Sequence, residues 1–237
     1  MVANPPSSMI ENRILAALPG NEYQRLAPHL EEVPLTLGDV LYWPGDQVKF
    51  VYFPQTAVVS LIAAMKDGVT VEAGLTGREG MVGVSALLGA ETTPHEMIVQ
   101  HEGRALRMKA ERLCEHTKEG GVLHDRLLRY MHLLFTQVTQ TAACNRLHTL
   151  NQRLARWLLM INERVCSPEF KLTQEFISRM LGVRRAGVSV AANTLQQRGL
   201  INYSRGSIRI LNRAALKAES CECYRIVKAE LDDFLKG

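Results

Sequence analysis

Seven side chains in the C-terminal third of this 237-residue chain have the types and spacing to hold a polyanion. Arg184 and Arg185 stand together just beyond Gly182, inside the segment LTQEFISRMLGVRRAGVSVAANTLQQRGLINYSRGSIRIL, residues 172–211. An arginine fork donates two hydrogen bonds at once, which matches the O6 and N7 acceptors of guanine in a major groove. Ser189 and Asn193 follow one and two helical turns later, on a face suited to further base or phosphate contacts. Thr173, Gln174 and Arg205 are the candidate phosphate neighbours.

Two helices and a hairpin must hold these residues together. Thr173 is a good N-cap for a helix over 174–181. Ile177, Leu181, Val183, Val188, Ala192 and Leu195 supply the apolar contacts that lock it to a second helix across a turn containing Gly182. Gly199 terminates the second helix, and Ile201–Tyr203 can pair with Ile208–Ile210 around Ser204-Arg205-Gly206-Ser207 as a wing. In a winged helix-turn-helix the second helix enters the groove with its N-terminal residues leading, where the two arginines fall.

Charge agrees with this placement. Residues 1–145 carry 12 Lys+Arg against 16 Asp+Glu, residues 146–217 carry 13 against 3, and residues 218–237 carry 3 against 5. The basic excess therefore sits in one segment, on a chain otherwise mildly acidic, which is the electrostatic footprint of a polyanion binder.

Upstream, the hydrophobic period is short from Val33 to Met108. The runs Ala57–Met65 and Val69–Leu75 flank Lys66-Asp67-Gly68 as a hairpin, because Asp-Gly readily takes positive φ. Further strands are expected at 96–100 and 104–108, giving an antiparallel barrel or jelly roll of about 80 residues that can close around a small ligand. Before it, Ile10, Ile14, Leu15 and Leu18 suggest a short helix stopped at Pro19-Gly20, with a second helix over 21–31, after a Pro- and Ser-rich start at 1–8.

A long helix over 123–145 follows, with Leu127, Met131, Leu134 and Val138 spaced as an a/d seam. Such a seam can pair with its own copy or pack on the chain's own barrel; self-pairing is the expectation, because the seam runs on into the polar Thr141 and Asn145. Leu147, Leu150, Leu154, Leu158 and Ile161 then form a fresh apolar face, with Arg146, Arg153, Arg156 and Arg164 on other faces, until Ser167-Pro168 stops the helix. The fold class is α+β. The expected organisation is a sensor barrel with flanking helices over 1–122, a dimerisation helix over 123–145, a winged helix-turn-helix over 146–217 and a helical tail over 218–237.

Other chemistry has less support. No stretch approaches the roughly 18–20 apolar residues that span a bilayer, and the N-terminus lacks a signal-like region, so a cytoplasmic protein is expected. Cys114, Cys144, Cys166, Cys221 and Cys223 are an odd, scattered set that fits reduced thiols. Cys221-Glu222-Cys223 alone is weak evidence for a metal, and no metal site or cofactor is assigned. Glu72, Glu79 and His95 could serve an enzyme, yet no nucleophile-base spacing, Walker loop, HExxH or dinucleotide fingerprint accompanies them, and no enzymatic activity is expected.

The order of elements and the segment GVRRAGVSVAANTLQQRGLI, residues 182–201, resemble the Crp/Fnr regulators over roughly residues 10–215. That resemblance implies a cyclic-nucleotide-binding-like barrel, a homodimer on palindromic duplex DNA, and RNA polymerase as a partner. The departures bear on what is sensed. Cyclic-AMP-binding members carry a Gly-Glu pair and an Arg-Ser or Arg-Thr pair in their phosphate cassette. Here the matching region is GREGMVGVSALLGAETTPHEMIV, residues 77–99, where Val84 follows Gly83 and no arginine occurs between Arg78 and Arg104. A phosphate would lack its bidentate partner. Oxygen-sensing members hold an iron-sulfur cluster through N-terminal cysteines, and this chain has none before Cys114. Haem through His95, His101, His124 or His132 has only ordinary histidines behind it. The family's E-x-x-S/G-R recognition pattern is replaced by Ala186, Gly187, Ser189 and Val190, so a different target site is expected. The alternative is a barrel that binds another small effector or senses redox or metal state.

Overall fold

The computed structural model describes residues 10–165, 167 and 169–236. The Pro- and Ser-rich start, Cys166 and Pro168 of the expected helix stop lie outside the described residues.

Helix α1 (Arg13–Ala16) is capped by Asn12, whose Oδ1 accepts from the Ile14 and Leu15 amides. The same side chain is fully buried and donates to the carbonyls of Pro54 and Gly80, pinning the N-terminal segment to the barrel. Helix α2 (Gly20–Leu26) was expected to reach residue 31. It gives way instead to a 3-10 turn at Ala27–His29, because Pro28 has no amide hydrogen to continue the α-helical ladder.

Seven strands follow: β1 (Glu31–Leu35), β2 (Val40–Tyr42), β3 (Phe50–Pro54), β4 (Val58–Ala64), β5 (Thr70–Thr76), β6 (Glu96–His101) and β7 (Gly103–Lys109). They form two antiparallel sheets, ordered β1-β7-β3 and β2-β6-β4-β5, packed over Leu35, Tyr42, Val59, Met97, Val99 and Ala105. The β4–β5 hairpin turns at Asp67-Gly68 as its residues dictate, with Gly68 at φ 83° and Asp67 Oδ1 accepting from the Val69 amide. Two short helices, α3 (Val84–Leu87) and α4 (Ala110–Thr117), complete the N-terminal unit.

The chain continues through α5 (Val122–Leu147), α6 (Leu150–Val165), β8 (Glu169–Lys171), α7 (Gln174–Leu181), α8 (Arg185–Gln197), β9 (Ile201–Ser204), β10 (Ser207–Ile210), α9 (Arg213–Glu219) and α10 (Glu222–Lys236). The last three strands form a small sheet ordered β8-β10-β9. The tail does not trail away: Leu231 and Phe234 of α10 are buried in the core shared by α1, α4 and α5.

Two expectations about the helices require correction. Leu127 and Leu134, assigned to a dimerisation seam, are buried in the chain's own barrel core, at 0% and 6% exposure. Met131 and Val138 are half-buried, and the open side of α5 carries Leu128 and Phe135, the latter 67% exposed. The outward stripe is thus offset from the expected one, because the barrel claims the more regular face. The second correction concerns α6. Arg153, Arg156 and Arg164 were expected on faces away from the core, but all three are buried, since α6 is covered on one side by α8 and on the other by β4 of the barrel. Leu147, expected on the same apolar face, is exposed, because the helix breaks at His148.

Candidate nucleic-acid interface

The interface is assembled by short-range chemistry. Thr173 Oγ1 accepts from the Phe176 amide at 3.1 Å and starts α7. Gly182 takes φ 60° and ends it, so that Arg184 becomes the residue preceding α8. Gly187 permits α8 to lie close on α6: a Cβ there would sit 3.1 Å from Leu150 Cδ2. Val188, Ala191, Ala192 and Leu195 are buried against that support. The outward face left over carries Arg185, Ala186, Val190, Asn193 and Gln197, with Ser189 half-buried beside them.

The wing is a two-residue hairpin. Ser204 pairs with Ser207, and the intervening Arg205 and Gly206 have φ of 50° and 74°, the double left-handed conformation that matches strand twist. The Gly206 carbonyl accepts from the Leu172 amide at 2.7 Å, which ties the wing tip to the residue before Thr173.

As a result Thr173, Gln174, Arg185 and Arg205 border one open groove, together with Glu175 and Tyr203. Arg184 and Asn193 lie outside that groove, exposed at the start and towards the end of α8, with Ser189 between them. Two residues of this surface were not among the candidate contact residues. Tyr203 donates to the Leu172 carbonyl at 2.9 Å and lies near enough to Arg185 to feel its charge; burial, the larger effect, raises its pKa. Val190 is 67% exposed on α8, an apolar side chain suited to a thymine methyl group. The signal for both was present as an aromatic in the wing and an apolar residue off the packed face of α8.

The arginines of the basic segment fall into distinct classes. Arg164 pairs with Glu79 at 2.7 Å, Arg156 donates to Thr141 Oγ1, and Arg153 donates to the Leu181 carbonyl, all in the interior. Arg179, Arg198, Arg209 and Arg213 pair with Glu96, Glu219, Glu169 and Glu163. Arg184, Arg185 and Arg205 have no side-chain hydrogen bond or ion pair among the described residues. Among the described residues of the segment Arg146, at the end of α5, is likewise without such a partner, so three of the four free guanidinium groups lie on the recognition side of the helix-turn-helix.

Residues 152–219 match the model of the Crp-like helix-turn-helix domain, and residues 32–116 match that of the cyclic nucleotide-binding domain. The chain belongs to the Crp/Fnr family of transcriptional regulators. Solved structures similar to this Crp/Fnr regulator include FixK2 from Bradyrhizobium japonicum, 16% identical, with a TM-score of 0.70 over 81% of this chain and 98% of that one. A Crp/Fnr-family regulator from Eubacterium rectale is 18% identical, with a TM-score of 0.68 over 88% and 95% of the two chains. The c-di-GMP-responsive regulator CLP from Xanthomonas campestris is 16% identical, with a TM-score of 0.64 over 81% and 99%. No curated protein sequence matches the chain significantly.

In this Crp/Fnr regulator the region corresponding to the phosphate cassette is occupied by acids already in use. Glu79 faces Arg164 and accepts from the Gly77 amide, while Glu96 faces Arg179. Glu72 accepts from Trp157 Nε1 at 2.8 Å. The contacts to Arg164, Arg179 and Trp157 each join the barrel to the DNA-binding half. No helix among the described residues is long and apolar enough to cross a membrane.

Proposed function

We propose that this regulator acts as a cytoplasmic homodimer, reads a palindromic duplex site through α8, contacts RNA polymerase, and catalyses no reaction. The observation that carries the reading is the unpaired trio Arg184, Arg185 and Arg205 around the α8–wing surface, when four other arginines of the segment are held by carboxylates. Arg184 and Arg185 lead the helix that enters the major groove and serve base edges; Arg205, Thr173 and Gln174 flank it and serve phosphates. Dimerisation through Leu128 and Phe135 would set two such helices on half-sites about one helical turn apart. Selection from a random duplex pool tests the proposal: it should enrich one sequence with two-fold symmetry, and a pool that stays random would overturn it.

Cyclic AMP is not its effector under this proposal. A cyclic phosphate entering residues 77–99 would meet Glu79 and Glu96 with their arginines already engaged, and no arginine follows Arg78 in that segment. One observation favours a ligand switch of another kind. A cleft between barrel and wing is bordered by Ile98, Gln100, Phe170, Phe176, Arg179 and Arg205, so a small molecule there would touch both halves.

A further inference from the structure

Four side chains that the DNA-binding surface does not use meet where the end of α5 reaches the start of α10. Cys144 and His148 are one helical turn apart at the C-terminus of α5, and Cys221 and Cys223 flank the first residue of α10. Their donor atoms, three Sγ and one imidazole nitrogen, all lie within 4.8 Å of one another. Cys144 Sγ is 3.5 Å from Cys221 Sγ, and Cys223 Sγ is 3.7 Å from His148 Nδ1. The three thiols are buried together and the His148 side chain is only 14% exposed.

We propose that Cys144, His148, Cys221 and Cys223 bind one Zn2+ ion in a closed tetrahedral site. Zinc–thiolate bonds of about 2.3 Å and zinc–imidazole bonds of about 2.0 Å, set at tetrahedral angles, put neighbouring donors roughly 3.5–3.8 Å apart. That is the spacing of both close pairs. The cluster leaves room for a single ion and not for an iron-sulfur cluster, which would interpose iron and sulfide between its thiolates.

The surroundings fit a metal centre. His148 Nε2 lies 3.2 Å from a Glu222 carboxylate oxygen, so that nitrogen carries the proton and Nδ1 keeps its lone pair for the metal. Zn2+ displaces three thiol protons on binding, and the resulting centre of three thiolates and one neutral imidazole carries a net charge of −1. Arg153 and Arg156 of α6 lie near enough to Cys144 to act on it electrostatically, and the Nε of each is buried without a hydrogen-bond partner. An anionic centre supplies the charge that these buried cations lack. With every coordination position filled by protein the ion is structural, and it fastens the last turn of α5, the helix that carries the outward stripe, to α10.

The test uses the reduced full chain, purified without chelator and analysed by plasma mass spectrometry. About one zinc per chain is expected. After removal of zinc, Co2+ alone should produce thiolate-to-cobalt charge-transfer absorption and the visible bands of a tetrahedral site. Cys221→Ser and Cys223→Ser should each lower zinc content several-fold, while Cys114→Ser, whose thiol is exposed and distant from the cluster, should leave it unchanged. Should a serine variant fail to fold, thiol titration of the native wild-type chain still decides: three fewer thiols should react with metal bound than without. Absence of zinc together with absence of cobalt bands on the reduced chain overturns the proposal. So does iron-sulfur absorption, or a Cys144–Cys221 disulfide that forms with no metal bound.

Discussion

Arg164 of α6 and Glu79 of the barrel form an ion pair at 2.7 Å with only 3% and 4% of their side chains exposed. The two residues are 85 positions apart, and the pair buries a charge from each half of the regulator in the seam between them. Gln137 of α5 accepts from the same guanidinium and donates to the Leu75 carbonyl, so the long helix is fastened at the same point.

Removing one member of this pair leaves the other charge buried and unpaired. Arg164→Met is therefore expected to cost about 3–5 kcal/mol in urea denaturation. Adding Glu79→Gln to it should restore much of that loss, because no isolated carboxylate remains. Independent, additive losses in the double-mutant cycle would contradict direct coupling.

Glu72 gives the stability a pH dependence. Burial raises its pKa from 4.5 to about 7, against the opposing hydrogen bonds from Ser60 and Trp157. A raised carboxylate pKa means that the folded state binds the proton more tightly than the unfolded one. Stability therefore falls as pH rises between about 4.5 and 7, and is level above that range. Glu72→Gln keeps an acceptor for Trp157 and removes the titration. It should match wild type near pH 4.5 and exceed it by on the order of 3 kcal/mol at pH 8. A difference independent of pH would show that Glu72 does not titrate in this window.

Phe135 and Leu134 are neighbours in sequence with opposite assignments. Phe135 projects outward from α5, whereas Leu134 Cδ1 lies 3.3 Å from where a Cβ on Gly74 would stand. Phe135→Glu should leave a folded chain that is monomeric by light scattering. Leu134→Glu should lower the melting temperature sharply, since it places a carboxylate in the barrel core. A dimeric Phe135→Glu variant would exclude this face as the principal contact.

These cases also mark what the sequence could disclose. The hairpin at Asp67-Gly68, the cap at Thr173, the turn at Gly182 and the wing at Arg205-Gly206 were legible because each depends on a few consecutive residues. The burial of Leu127 and Leu134 was not, since periodicity locates an apolar face without saying whether barrel or partner covers it. Arg153, Arg156 and Arg164 looked like surface charge because their neighbours come from other elements, Glu79 being the most distant. Cys221 and Cys223 were visible as a pair, but Cys144 and His148 join them only through the packing of α10 on α5.

The most direct measurement is a binding titration of Arg185→Ala and Arg205→Ala on the selected duplex and on a scrambled one, at several salt concentrations. Arg185→Ala should cost about 1–3 kcal/mol on the selected site, relax the preference at one base pair of each half-site, and hardly change binding to the scrambled duplex. Arg205→Ala should weaken both duplexes alike and flatten the salt dependence by about one unit per half-site. Equal loss on both duplexes for Arg185→Ala would contradict the assignment of α8 as the helix that reads the bases.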